Sequence, residues 1–235
     1  LDTVGMLEDC TFRFSQWDPD NREKYIGTPE QWDEAQGIMK KILDDLGVEY
    51  TVGVGEAAFY GPKLDVQYKN VFGKEDTIVT IQVDQLLAEQ FGMEYTDTDG
   101  QKKRPYILHR TSLGCYERTL AYLIEKYAGA LPTWLSPTQV KLLPIGNEQL
   151  EYTKKIAEKM QSFGIRVETD DRYEKIGYKI RQAQLQKIPY MLIIGDKEMA
   201  DGTVSVRSRK NGDMGAVPAD EFIDRLVLEI AKKER

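Results

Sequence analysis

Apolar and polar residues recur with different periods along this chain, and the change of period divides it. In the first half, Thr28 suits an N-cap, Pro29 a first helical position and Gln31 the reciprocal capping-box residue, with Gly47 as a stop; this predicts a helix over 29–46. Three extended stretches are expected near 63–69, 77–84 and 104–109. The runs LDVQY and TIVTIQV alternate with period two, the pattern of strands that bury one face. Turns at Phe72-Gly73-Lys74 and Asp97-Thr98-Asp99-Gly100 join them, so neighbouring strands are expected to pair antiparallel. From 112 to 127 the spacing of Leu113, Tyr116, Leu120, Leu123, Ile124 and Tyr127 is helical, ended by Gly129.

Prolines at 132 and 137 keep either regular element from crossing 130–137, which reads as a linker. Beyond it, strands at 140–145, 165–168 and 190–194 alternate with helices at 147–162 and 174–186. A further strand at 203–209 and a closing helix at 219–233 follow. Such alternation predicts a mostly parallel sheet covered by helices. The expected organisation is an α+β unit over 1–135, with a partial antiparallel sheet, and an α/β unit over 138–235 with a mixed, mostly parallel sheet.

Composition adds limits. With 41% hydrophobic and 30% charged residues the 235-residue chain has the make-up of a soluble globular protein. No apolar run approaches the roughly 20 residues of a membrane span. The opening LDTVGMLEDC lacks the basic and apolar regions of a signal peptide. It also lacks a starting Met and reads as the middle of a helix, so a piece of a longer, cytoplasmic protein is expected. Cys10 and Cys115 suggest no disulfide framework, and reduced thiols are expected. The net charge of −7 argues against a generic nucleic-acid binder. Its distribution is uneven: residues 1–137 hold 14 Lys and Arg against 23 Asp and Glu, whereas residues 138–235 hold 18 against 16. The second half is the one compatible with meeting a polyanion.

Two segments carry candidate chemistry. In Gly55-Glu56-Ala57-Ala58-Phe59-Tyr60-Gly61-Pro62-Lys63, glycines bracket Glu56 and Tyr60 just before a strand that begins with Lys63. A ligand-approach loop and an ordinary Gly/Pro turn both fit that spacing. In Arg104–Arg118 a strand delivers His109 to its end, and a helix opening near Gly114 carries Arg118 in its first turns. A guanidinium placed there suits a polyphosphate; a structural histidine and a surface arginine are the alternatives. His109 is the sole histidine, so no complete zinc site is expected from this chain alone.

The ordered set of motifs resembles a known family. Gly114–Arg118, inside its strand and helix, is similar to motif 3 of the class II aminoacyl-tRNA synthetases. Gly55–Lys63, Thr80-Ile-Gln82-Val-Asp84 and His109-Arg110 resemble the threonyl-tRNA synthetase family specifically. The resemblance continues through Tyr127-Ala-Gly129, Pro132-Thr-Trp134-Leu135, Gly164–Val167, Glu174–Arg181, Pro189–Leu192 and Gly195–Glu198, and covers essentially the whole chain.

It implies the end of a catalytic domain followed by an anticodon-binding domain. The implied reaction is ATP-dependent activation of threonine and its transfer to the 3′ end of threonine tRNA, with Mg²⁺ accompanying ATP. By resemblance Arg118 holds the ATP phosphates, and Lys63, Tyr60 and Gln82 line the ATP and amino-acid pocket beside Gly114 and Cys115. His109 matches one ligand of a zinc ion that binds threonine, a metal able to distinguish the hydroxyl from isosteric valine. Glu198, Arg207 and Tyr173 match anticodon-reading positions; without the family, a solvated turn and strand end is the preferred description of Glu198 and Arg207.

Three residues depart from the family pattern. Cys115 stands where serine is frequent, Thr77 where glutamine is frequent, and Tyr173 where asparagine is common; Tyr173 is suited to stacking on a base. Motifs 1 and 2 and the other zinc ligands are not found in the chain, nor is a region for editing serine. The chain by itself is therefore expected neither to bind zinc tightly nor to form the adenylate, and residues 1–135 are expected to be poorly soluble or to self-associate. A homodimer is implied for the complete enzyme. A non-catalytic tRNA-binding protein is the alternative from another class, and a prolyl or glycyl synthetase a third.

Overall fold

The computed structural model describes residues 1–235 throughout. The chain forms two compact units, Leu1–Lys126 and Tyr127–Arg235.

The first unit opens with two 3₁₀ turns, Asp2–Val4 and Leu7–Asp9, rather than the α-helix suggested by its first residues; Gly5 ends the first turn in a left-handed conformation. There follow β1 (Cys10–Gln16), α1 (Pro29–Asp45), β2 (Thr51–Val54), β3 (Lys63–Lys69), β4 (Glu75–Asp84), α2 (Leu87–Gln90), β5 (Tyr95–Thr96), β6 (Lys102–Lys103), β7 (Ile107–Arg110) and α3 (Tyr116–Lys126). The main sheet has the order β2-β1-β3-β4-β7, and β5 and β6 form a separate hairpin. Every ladder of the main sheet is antiparallel except β1 with β2.

Helix α1 starts where its caps dictate. Thr28 N–H donates to Gln31 Oε1 at 2.9 Å, and Gln31 N–H donates back to Thr28 Oγ1. Its buried residues Trp32, Ala35, Met39 and Leu43 follow helical spacing. Met39 and Leu43 pack on Phe14 of β1 and Leu64 of β3, which fixes the apolar face of the sheet. Fully burying such a side chain contributes roughly 1.5–3 kcal/mol.

In the second unit β8 (Val140–Pro144), α4 (Leu150–Ser162), β9 (Val167–Thr169), α5 (Ile176–Leu185), β10 (Tyr190–Ile194), α6 (Asp196–Asp201), β11 (Thr203–Ser208), β12 (Gly212–Pro218) and α7 (Ala219–Lys232) follow one another. The strand order is β12-β11-β10-β8-β9. β8 runs parallel to both β9 and β10, whereas β10–β11 and β11–β12 are antiparallel. The sheet is thus mixed, because β11 pairs antiparallel with β10; β12, a strand after the turn at Asn211-Gly212 beyond those expected from the sequence, extends the antiparallel half. Val140, Leu142, Leu192, Ile194, Val204 and Val206 share a core with Ile156 and Met160 of α4 and Phe222, Ile223 and Leu226 of α7. A separate cluster sets Leu143 and Met191 against Ala183 of α5 and Ile188. Central strands buried on both faces explain the unbroken apolar run in Tyr190–Ile194.

The proline-rich stretch belongs to this second unit. Arg166 donates to the carbonyls of Trp134 and Ser136, and Gln139 Nε2 donates to that of Thr133 at 3.0 Å.

Candidate functional site

Strand register brings the candidate residues of the first unit into a row. Ser15 lies opposite Lys63, Lys63 opposite Gln82, and Gln82 opposite His109. Arg13, Asp65 and Thr80 form the next row. Side chains two apart on a strand share a face, so these polar residues occupy one side of the sheet. Phe14, Leu64 and Ile81 occupy the other, with α1.

Two buried carboxylates organise the polar face. Asp65, 2% exposed, accepts from Ser15 Oγ and Thr80 Oγ1 at 2.8 Å each and pairs with Lys63 Nζ at 2.7 Å. Asp84, equally buried, lies 2.8 Å through Oδ2 from His109 Nε2, while its Oδ1 accepts from the backbone N–H groups of Leu86 and Leu87. Burial pushes the Asp84 carboxyl up, but the hydrogen bonds from His109, Leu87 and Leu86 together hold it below the usual carboxylate value.

The loop before β3 is pressed onto the end of β4. Val83 N–H donates to the Pro62 carbonyl and Gln85 N–H to that of Tyr60. A Cβ on Gly61 would stand 1.7 Å from the Val83 oxygen, so glycine is the residue that permits this approach. Tyr60 O–H is thereby brought 3.4 Å from Gln82 Oε1. The Gln82 Nε2 is buried and has no hydrogen-bond partner. A buried donor left unpaired costs about 1–3 kcal/mol, so a ligand able to accept from it gains affinity.

Gly114, Cys115 and Arg118 gather near the other end of β4. Gly114 has φ 65°, and its backbone abuts the carbonyl of Ile78. Arg118 Nη1 donates to the Thr77 carbonyl at 2.9 Å, and the exposed Cys115 Sγ donates to Glu117 Oε2 at 3.2 Å. Five residues of strand, roughly 15 Å, separate Thr77 from Gln82. Lys63, Tyr60, Gln82 and His109 are therefore one group, and Gly114, Cys115 and Arg118 a second group whose Gly114 and Arg118 rest against the start of β4.

In the second unit Tyr173, 95% exposed, lines a cavity of about 460 Å³ with Pro144, Asn147, Arg172, Lys175 and Lys179. The buried Lys179 donates to the carbonyls of Pro144 and Asp170, joining the ends of β8 and β9. Arg172 binds the Asp170 carboxylate through two nitrogens at 2.8 and 2.6 Å, and holds that carboxyl below its usual value against the opposing effect of burial. Glu198 accepts from Gly195 N–H at 3.0 Å, capping α6. Arg207 stands opposite Met191, at the far end of β10 from Gly195, and its guanidinium is 3.6 Å from Asp213. Arg207 is thus not a wall of the Tyr173 cavity.

His109 is the single imidazole of the chain, and nowhere do three His, Cys, Asp or Glu side chains converge to hold a metal ion. The donors present therefore do not fit a zinc ion by themselves. Asp65 and Ser15 are not among the residues named from the sequence, and Thr80 and Asp84 are named there only as members of a motif, without a role. Their signal was the polar half of the alternation, Lys63-Asp65-Gln67 on β3 and Thr80-Gln82-Asp84 on β4.

Comparison with known proteins agrees with this architecture. Residues 11–127 match the tRNA synthetase class II core domain (G, H, P, S and T), and residues 139–229 match the anticodon binding domain. A threonine–tRNA ligase of Clostridium perfringens is 58% identical over 234 residues, which is 100% of this chain and 36% of that protein. The chain belongs to the threonyl-tRNA synthetase family. Threonine–tRNA ligase 1 of Bacillus subtilis is 48% identical over 96% of the chain and 35% of its own length. The chain thus spans about a third of the length of these synthetases. Among solved structures, the RNA binding domain of threonyl-tRNA synthetase from Cryptosporidium parvum Iowa II superposes with a TM-score of 0.84 at 32% identity, over 97% of this chain and 56% of that one. The putative threonyl-tRNA synthetase ThrRS-1 of Aeropyrum pernix gives 0.74 at 25% identity, over 97% and 54%. No helix of the chain is long and apolar enough to cross a membrane.

Proposed function

We propose that this chain supplies part of the catalytic site and the anticodon-binding domain of a cytoplasmic threonine–tRNA ligase. The enzyme joins threonine to ATP as the adenylate, releases pyrophosphate and passes threonine to the 3′ end of threonine tRNA. The observation that supports this reading best is the row of Lys63, Gln82 and His109 across three adjacent strands, with Tyr60 leaning on Gln82.

Each side chain has a task that its chemistry suits. Lys63, steered by Asp65, presents an ammonium to the reacting carboxylate and α-phosphate. Tyr60 and Gln82 offer polar atoms to the amino acid, and Gln82 Nε2 is available for it. Arg118 lies at a distance suited to the far phosphates of ATP, which Mg²⁺ accompanies. Cys115, near Gly114, borders the same nucleotide site. His109 would be one donor toward zinc in the complete enzyme, where the metal would supply a Lewis acid for the threonine hydroxyl and its remaining ligands would come from outside this chain. The complete enzyme is a homodimer. In the second unit Tyr173 stacks on an anticodon base, and Glu198 and Arg207 read base edges.

ATP–pyrophosphate exchange with a panel of amino acids, followed by aminoacylation of threonine tRNA, tests the reading on the full-length protein. Exchange stimulated by threonine and lost on Lys63→Ala is the expected result. Stimulation by proline or glycine instead, or no exchange at all, would overturn it, and the latter outcome together with tRNA binding would favour a non-catalytic tRNA-binding protein.

A further inference from the structure

The side of the imidazole that His109 offers to the site follows from its neighbour. The ring stands at the end of an edge strand with its side chain 46% exposed, whereas the Asp84 side chain beside it is 3% exposed. Asp84 cannot swing freely. Its Oδ1 is held by two backbone N–H groups, Leu86 at 2.8 Å and Leu87 at 3.0 Å, so Oδ2 is directed at Nε2 of His109, 2.8 Å away. An ionised carboxylate only accepts hydrogen bonds. The nitrogen facing it must carry a proton, and in a neutral ring the other nitrogen then bears the lone pair.

We infer that Asp84 is a positioning residue that fixes His109 as the Nε2–H tautomer, so that Nδ1 is the atom through which His109 meets its ligand. That ligand is an electron-pair acceptor: a cation, or an N–H or O–H group of the substrate. A carboxylate behind an imidazole both orients the ring and makes its free nitrogen a better donor. The inference deepens the proposed role of His109 and rests on it for its functional meaning, but the tautomer itself is a property of this chain.

The chain contains one histidine, so its imidazole nitrogens give a single, unambiguous set of signals. Long-range ¹H–¹⁵N correlation spectra of the labelled 235-residue protein, recorded well above the ordinary imidazole pKa of about 6.5, read the tautomer directly. The expected spectrum has Nε2 at the protonated shift and Nδ1 at the unprotonated shift. In Asp84→Asn the amide oxygen still accepts from Leu86 and Leu87, which turns the NH₂ group toward Nε2. That nitrogen must then accept, and the two shifts are expected to exchange. A wild-type spectrum with Nδ1 protonated, or with the rapid averaging of an unheld ring, overturns the inference without recourse to any variant. An Asp84→Asn protein that folds and keeps the wild-type tautomer overturns it as well. Neither result bears on whether the full-length protein activates threonine.

Discussion

Gly114 rests against the carbonyl of Ile78 so closely that a Cβ at this position would lie 2.0 Å from the oxygen. This contact seats the start of α3, and with it Arg118, on the bulged end of β4. Gly47, at the end of α1, has the same φ of 65° but nothing within 4 Å of its Cβ position. The pair separates backbone strain from collision. Gly47→Ala is expected to cost about 1–2 kcal/mol, the left-handed penalty alone. Gly114→Ala is expected to cost about 2 kcal/mol more, because the backbone of β4 must move. Urea unfolding of the two variants measures the difference, and equal costs would show that the β4 contact yields easily.

The Asp65 carboxylate joins Ser15, Lys63 and Thr80 from three strands. Asp65→Asn keeps the size but loses the charge that draws in the ammonium. A stability loss of about 1–3 kcal/mol is expected, together with a fall in the threonine-dependent exchange rate of the full-length protein. Retention of the full rate would detach Lys63 orientation from Asp65.

Asp170 and Arg172 give the second unit a pH dependence of known sign. The carboxyl of Asp170 is depressed in the folded protein, chiefly by hydrogen bonds from Arg172. Its contribution is therefore complete above the unfolded carboxylate value of about 3.9 and disappears as pH falls through the lower folded value. Arg172→Gln should lower stability at pH 7, modestly because half of the Arg172 side chain is in water. The gap between variant and wild type should close in strong acid, as read from urea midpoints across the acid range.

For the second unit, Arg207→Ala and Tyr173→Ala test tRNA reading. Removing a stacking ring costs roughly 1–3 kcal/mol per base, so Tyr173→Ala should weaken binding of threonine tRNA by about tenfold or more. Arg207→Ala should act on a separate contact, because Arg207 lies outside the Tyr173 cavity, and the two losses should add. Filter binding at fixed salt measures both; a Tyr173→Ala protein with unchanged affinity would remove the base from that cavity.

Where local chemistry sets the limits, the elements were legible. The strands Lys63–Lys69 and Tyr190–Ile194 were bounded by Pro62 and by Pro189 with Gly195, and α1 by its capping box and Gly47. β1 was hidden because its apolar residues are only Phe12 and Phe14 between polar neighbours, and β2 because it is four residues long and mostly exposed. The hairpin of β11 and β12 had a signal in Asn211-Gly212 that the reading of one strand over 203–209 left unused. At the candidate site, the long polar side chains were found through their motifs. The carboxylates that hold them had no role legible in the sequence, since Asp65 and Asp84 acquire their partners from strand register. The pairing of Asp65 with Thr80 lies beyond a bulge between Val66 and Gln67 in the β3–β4 ladder, which no local pattern announces.

His109 rides on β7, a four-residue border strand whose only ladder in the sheet is with β4. Lys63 and Gln82, by contrast, sit on strands paired along both sides. Fraying of this border strand would therefore release the imidazole while the ammonium and the amide keep their ladders. Amide exchange in β7 should be faster than in β3 and β4, and the site would assemble last, and come apart first, at its histidine.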